Sequence, residues 1–540
     1  MRWVRSTTLT LLLAVVATTA AARDDDSRRV RIRWEAYRIA AEYVDPRDAP
    51  APVNAMSVVL LDRVPAPTVS VRGSLERELA EDRLLVEARD PDGRVRFQSV
   101  IPDPRVLRAE PGGPEGRLSG RLLYRSHVEF DVIVPDDPAI AELRFYDLRW
   151  TGDGWQRVPL GNGLSLVALG GGPPPPPPDV RTSWPVTTIV DNGDPAHRLD
   201  LVILGDGYTS GQLKNYGTDV DKLVKALFAE WPFSEYRRYF NVHRVDVASP
   251  QSGADHPSLA LSVNTALDAS YDCRNIERLI CVKQAAVNAT VSGSLPQTPA
   301  DLVLVLVNDP QYGGSGGAIA VASTHPKAVE LVLHEEGHSF GSLADEYGGP
   351  PPPACVDNIE PPEPNATRQS RGAGAKWSRW IDEAGARAEC SERGEPTMCK
   401  GARYCDSTLF RPTLQSKMRE LGFPFQAING EQLVKRIYSR ISPIDGVSPA
   451  ATTLALKPGA QQVFTVETPR PSTHALRIVW KLNGADRSTT AQFTFLAPSA
   501  PGRHTVTVSV EDPTDMVRND PDGLLKASHS WEVTVGATPP

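Results

Sequence analysis

The chain has 540 residues but only 10 histidines, 6 cysteines and 5 methionines, and aromatic residues make up 7% of it. It also lacks a basic block. With 58 lysines and arginines against 66 acids the formal charge is −8, and no stretch gathers the cations a polyanion requires. A nucleic-acid partner is therefore excluded from the reading. Beyond the N-terminus no apolar run is long enough to cross a bilayer, so no transmembrane segment is expected. No cysteines have the spacing of a four-cysteine zinc site, and there are no tandem repeats. Against so few histidines, the two that stand four apart at 334 and 338 are conspicuous.

The chain opens "MRWVRSTTLTLLLAVVATTAAARDDDSRR". Arg2 and Arg5 form a basic start, Thr8 to Ala17 an apolar stretch, and Ala20-Ala21-Ala22 a small-residue cleavage site. This predicts a signal peptide over 1–22, removed near Ala22, and a secreted protein (extracellular or periplasmic); an uncleaved or lipid anchor is the alternative. Loss of the two arginines takes the formal charge from −8 to −10. The cysteines, at 273, 281, 355, 390, 399 and 405, are an even number in an exported chain, which implies disulfides. Short loops favour Cys273–Cys281 and Cys399–Cys405, leaving Cys355–Cys390.

Composition marks the divisions. Residues 23–169 read as short alternating runs such as "RVRIRWEAYRIAAEYV" and "HVEFDVIVP", with "DPDG" as a hairpin turn, and predict an N-terminal β-sandwich without a notable titratable cluster. "GGGPPPPPPD", 170–179, is a glycine/proline linker. From 180 to 442 the pattern becomes α/β. "RLDLVILGDGYT" is a buried strand, followed by a helix with Leu213, Val220, Leu223, Val224, Leu227 and Phe228 on one face. Residues 443–540 return to strands around Trp480 and suggest an immunoglobulin-like sandwich.

The chemistry lies in "AVELVLHEEGHSFGSLADEYGG". On a helix His334 and His338 project side by side, where two imidazoles can bind one zinc ion. Glu335 then flanks the metal and can take a proton from water, whose pKa zinc lowers toward ~7. The bare HExxH pattern arises by chance in roughly one chain of this length per hundred. Apolar "AVELVL" gives the helix an anchoring side, and Gly341 can take the left-handed conformation that ends it. In the metzincin signature a histidine follows that glycine by three residues; here the place is Ala344. Asp345 or Glu346 can close the site, with Glu383 as a third option, since two histidines and a carboxylate form a catalytic zinc set.

"HEEGHSFGSLADEY" resembles the HExxHxxGxLxDEY signature of the IgA-peptidase family of secreted bacterial zinc metallopeptidases, the igalysin group. "RLDLVILGDGYT", "PFSEYRRYFNVHRVDVASPQSGAD" and "LVNDPQYGGSGGAIAVAS" resemble it too, so the likeness spans about 185–440. It implies a multidomain protein whose central α/β domain is a metzincin-like zinc peptidase. His334 and His338 would bind one catalytic Zn2+, with Glu335 as general base of a metalloendopeptidase acting on protein or peptide substrates. "FRPTLQSKMRE" resembles the family's YRPxxxSxMR segment and implies Met418 as the methionine floor beneath the metal; Met398 competes for that role. The glycine-rich "NDPQYGGSGG" leads into a strand to which an extended peptide can pair. Tyr347 and Tyr312 are candidates for oxyanion stabilisation. His243, His256 and His325 read as structural, and Asn288 and Asn365 begin glycosylation sequons. The flanking sandwiches suggest placement at a cell surface or on a glycoprotein target. Two other readings stay open: a surface binding protein with an inactive peptidase-like domain, and a zinc amidase or deacetylase.

Overall fold

The computed structural model describes residues 27–536 apart from 46–48, 65–70, 110–117, 119, 167–181, 349–358, 371–373, 382–389 and 391–393. The signal peptide, the 170–179 linker, Cys355 and Glu383 therefore lie outside the described residues. The protein is a β-rich, multi-sheet structure with few helices.

In the N-terminal third, Val30, Ile32 and Trp34 alternate inward along Ser27–Glu35. That strand lies between Ala55–Val64 and His127–Pro135. A second sheet runs in the order Trp155–Pro159, Glu142–Trp150, Arg83–Arg89, Val95–Pro102, and Trp34, Phe130, Phe145 and Val86 join the two in one core. The Asp-Pro-Asp-Gly turn forms the expected hairpin, with Gly93 at φ 81°. At the other end of the chain a three-stranded and a five-stranded sheet enclose Trp480, which stacks on Trp531 at 5.8 Å.

Among the described residues the central sheet has nine strands. Val186–Val190, Phe240–Val245, Leu199–Asp206, Leu302–Val307, Ala320–Ser323 and Gly314–Gly317 follow one another across it. The middle pairings are parallel and the last antiparallel. Helices α1 (Leu213–Leu227), α3 (Ala328–Ser339) and α4 (Gln426–Arg440) share one core with Leu201 and Ile203. Helix α2 (Gln284–Ser294) packs with Val202 and Leu204 on the other face. Burial on both faces explains why Leu199–Asp206 reads as a continuous apolar run.

The sheet continues past Gly314–Gly317 into Val106–Ala109, Arg121–Arg125 and Tyr43–Val44. The sequence reading placed these segments in the first sandwich, because alternation looks the same whichever sheet a strand joins. The N-terminal third is also tied to α4: Glu78 pairs with Arg436 at 2.6 Å and Arg440 at 3.2 Å. Arg72 donates to the carbonyls of Tyr438, Ile441 and Leu524 at 2.8–3.0 Å.

Cys273–Cys281 is a disulfide as expected. The expected Cys399–Cys405 is not: Cys399 bonds Cys390, and Cys405 is also disulfide-bonded. In the hairpin of Cys399–Ala402 with Cys405–Arg411, Cys405 lies opposite Ala402 and Cys399 opposite Arg411. The two sulfurs cannot meet across that register. Among the described residues no helix is long and apolar enough to cross a membrane.

Candidate active site

Helix α3 is buried along almost its whole length because it lies between the sheet and α4. His334, Glu335 and His338 are at most 2% exposed. Its end departs from the expected glycine cap. Gly341 keeps a negative φ, and Ser342 is the left-handed residue at φ 53°. Glycine is still required at 341, where a Cβ would stand 2.5 Å from the carbonyl oxygen of Gly337. The turn returns the chain to the histidines, and Asp345 arrives beside them.

His334 Nε2 and His338 Nε2 are 3.1 Å apart, and Asp345 Oδ1 is 3.3 Å from the first and 3.1 Å from the second. Each Nδ1–H donates to a backbone carbonyl, His334 to Lys417 at 2.9 Å and His338 to Leu343 at 2.7 Å. A carbonyl can only accept, so in a neutral ring the Nε2 lone pair is left facing the cluster. Burial lowers the His338 pKa, which favours that neutral ring. Against the same burial, the histidines hold the Asp345 carboxyl well below the usual range. Three potential ligand atoms thus crowd one point, an arrangement that could hold a cation. A tetrahedral ion with ligands at about 2.0–2.1 Å spaces them by roughly 3.3 Å, so the group fits a metal; among the described residues this is the group of three or more His, Cys, Asp or Glu so disposed.

Glu346 is turned away, which corrects its level ranking with Asp345. Its carboxylate accepts from Ser416 Oγ at 2.7 Å, Asn429 Nδ2 at 2.9 Å and Asn365 Nδ2 at 3.0 Å. Adjacent residues on an extended turn point apart, so only one of the pair can reach the histidines. Asn365, a sequon residue, is fully buried by this role.

Both oxygens of Glu335 are buried without a hydrogen bond, and burial pushes its pKa up to about 8. Its carboxylate lies against the sheet edge at Gly316, where a Cβ would stand 1.8 Å from Oε2. Met418 is fully buried under the helix; a Cβ on Gly337 would meet its sulfur at 2.3 Å. Its carbonyl accepts from the Glu346 N–H at 2.7 Å. Met398 lies elsewhere, beside Trp377 and Ile428.

Three residues near the cluster escaped the sequence reading. Tyr404 donates its hydroxyl to Asp345 Oδ2 at 2.6 Å, and its ring meets Tyr347 edge-on at 5.3 Å. Arg108 donates to Asp82 at 2.9 Å. Burial disfavours the Arg108 charge, but Asp82, Glu335 and Asp345 together raise its pKa. None of the three stands at a telling spacing from the histidines, and two belong to the N-terminal third. Tyr312 packs edge-on against His325 at 5.4 Å. His243 is held by Asp200 and Thr188, and His256 by Asp309. A cavity of about 1100 Å3 between the N-terminal third, α4 and the 360–364 loop reaches His338 and Asp345.

Two neighbouring histidines and a flanking glutamate on a buried helix, with the Asp345 carboxylate from the turn that follows it, form a group that could hold a metal ion. Residues 187–388 match the family model described as IgA Peptidase M64. The resemblance seen in the signature thus extends over that span. No curated protein matches. Among solved structures, a quinonprotein alcohol dehydrogenase-like protein from Bacteroides thetaiotaomicron VPI-5482 is similar at 17% identity, over 17% of this chain and 20% of that one. Its TM-score is 0.13. The chain thus spans about a fifth of that structure, and so slight a likeness bears on neither fold nor function.

Proposed function

We propose that the protein is a secreted zinc-dependent endopeptidase with a metzincin-like core. His334, His338 and Asp345 would hold one Zn2+, and Glu335 would serve as general base. The observation that carries this reading is the convergence of His334 Nε2, His338 Nε2 and Asp345 Oδ1 within 3.1–3.3 Å, with both Nδ1 atoms pinned to carbonyls. Zinc suits two imidazoles and a carboxylate, and when bound it polarises the scissile carbonyl and acidifies water.

The chain's own residues supply the rest. Lys417 and Leu343 fix the imidazole tautomers through their carbonyls, and Tyr404 orients Asp345. Glu335 takes a proton on a carboxylate oxygen and passes it to the leaving amine. Its burial keeps it basic enough to do so. Met418 supports the helix beneath the histidines. An extended substrate could pair with Gly314–Gly317 only where Val106–Ala109 gives way, with its carbonyl then directed toward the cluster. We assign 23–169, 180–442 and 443–540 as the N-terminal, catalytic and immunoglobulin-like segments. The disulfide-bonded cysteines agree with export.

Glu335→Gln tests this. The variant is expected to keep its metal and lose about 10²–10⁴-fold in turnover of an unstructured peptide. Normal turnover by metal-loaded Glu335→Gln would remove the glutamate from the mechanism.

A further inference from the structure

The sheet edge beside Glu335 is already occupied. Val106–Ala109 pairs antiparallel with Gly314–Gly317, Arg108 opposite Gly316 and Leu107 opposite Gly317. On the reading given under Proposed function, this is the line along which an extended substrate would lie, and the inference rests on that reading. Glu335 is 1% exposed and Asp345 4%, and the cavity of about 1100 Å3 that reaches His338 and Asp345 is itself lined by Arg108 of the occupant. Leu107 and Ala109 are fully buried in a pocket shared with Leu279 and Cys281 of the central segment. Arg108 faces the part of the edge against which the Glu335 carboxylate rests, and both Glu335 and Asp345 act on its charge.

We propose that Val106–Ala109 is an internal occupant of the substrate edge, so that the protein as described is self-inhibited and hydrolysis requires this strand to withdraw. The pairing suits a removable occupant. Two residue pairs hold the strand to Gly314–Gly317, whereas four hold it to Arg121–Arg125. The ribbon can leave as a unit with its own ladder intact. Asp82 would keep Arg108 paired during that movement, since both belong to the N-terminal third. The competitor is an unstructured peptide that offers the same backbone pairing.

The test uses full-length, zinc-loaded protein carrying Leu107→Ala or Arg108→Ala. Zinc content, hydrogen exchange over 314–317, and kcat/KM on an unstructured fluorogenic peptide are measured together. Both variants should keep zinc, exchange faster at the edge and gain roughly tenfold in kcat/KM, as the strand loses the burial of Leu107 or the side chain of Arg108 that helps seat it. Unchanged or lower kcat/KM with faster exchange would overturn the proposal, because the strand would then complete the site or be neutral to it. If Leu107→Ala does not fold, Arg108→Ala carries the test. Affinity for a labelled peptide, measured on a Glu335→Gln background, gives a readout without turnover: tighter binding in the variants supports occupancy and equal binding refutes it. Absence of zinc from the unmodified protein would sink the peptidase reading alone, since exchange and peptide affinity still decide the occupancy.

Discussion

Replacing Gly316 by alanine should separate catalysis from folding. The new methyl carbon would stand 1.8 Å from Oε2 of Glu335, 2.2 Å from Cδ and 2.7 Å from Cγ. Restoring an ordinary contact of roughly 3.5 Å makes the carboxylate retreat by on the order of 1.5 Å. The atoms met first are the far end of a flexible side chain, so the fold loses only about 1–3 kcal/mol, the usual cost of overpacking. The reaction is less tolerant, because a misplacement of about 1 Å can lower a rate by roughly 10²-fold. Gly316→Ala is therefore expected to bind metal normally and to lose about two orders of magnitude in kcat on an unstructured peptide. Metal content, melting temperature and steady-state kinetics measured on one preparation decide it. Wild-type kcat in a folded, metal-loaded Gly316→Ala protein would refute the claim that Glu335 works from its position against the edge strand.

Tyr404→Phe removes the donor to Asp345 Oδ2, and metal affinity should fall about 10–100-fold in a chelator competition, as for other partners of metal ligands. Glu346→Ala should leave metal binding intact but lower the melting temperature, since it strands Ser416, Asn365 and Asn429 in the interior. Glu78 is held down to about 2 by Arg436, Arg440 and Arg83 against its burial. A depressed carboxyl contributes stability above its unfolded value near 4.5, lost as pH falls toward 2. Glu78→Gln should thus be less stable than wild type by about 3 kcal/mol at pH 7, a gap that closes over that acid window in denaturant titrations. A constant gap would mean that the carboxylate charge is not what ties the N-terminal third to α4.

The helix, its two histidines and the adjacent glutamate were legible because a spacing of four on any helix fixes which side chains meet. The choice between Asp345 and Glu346 was not, since it depends on how the turn at Ser342 rotates the chain by one residue. Gly341 was found for a mistaken reason: close approach to the Gly337 carbonyl, rather than a positive φ, demands glycine there. The disulfide error has the same origin, because short loops say nothing about hairpin register. The N-terminal contribution was hidden most completely. A short run such as 106–109 fits a sandwich or a shared sheet equally well, and Gly314–Gly317 carries almost no side chains to name its partner. Arg108 is thereby brought near the site across more than 200 residues of sequence, a distance over which no local pattern carries information.

The most direct test of the account is the metal content of purified full-length protein and its Asp345→Ala variant, read by inductively coupled plasma mass spectrometry after dialysis against buffer with trace zinc. The account predicts one zinc per chain in the wild type and well under a tenth of that in Asp345→Ala, since losing a carboxylate ligand outweighs the loss of an outer hydrogen bond. Stoichiometric zinc in Asp345→Ala, or none in the wild type, would contradict it.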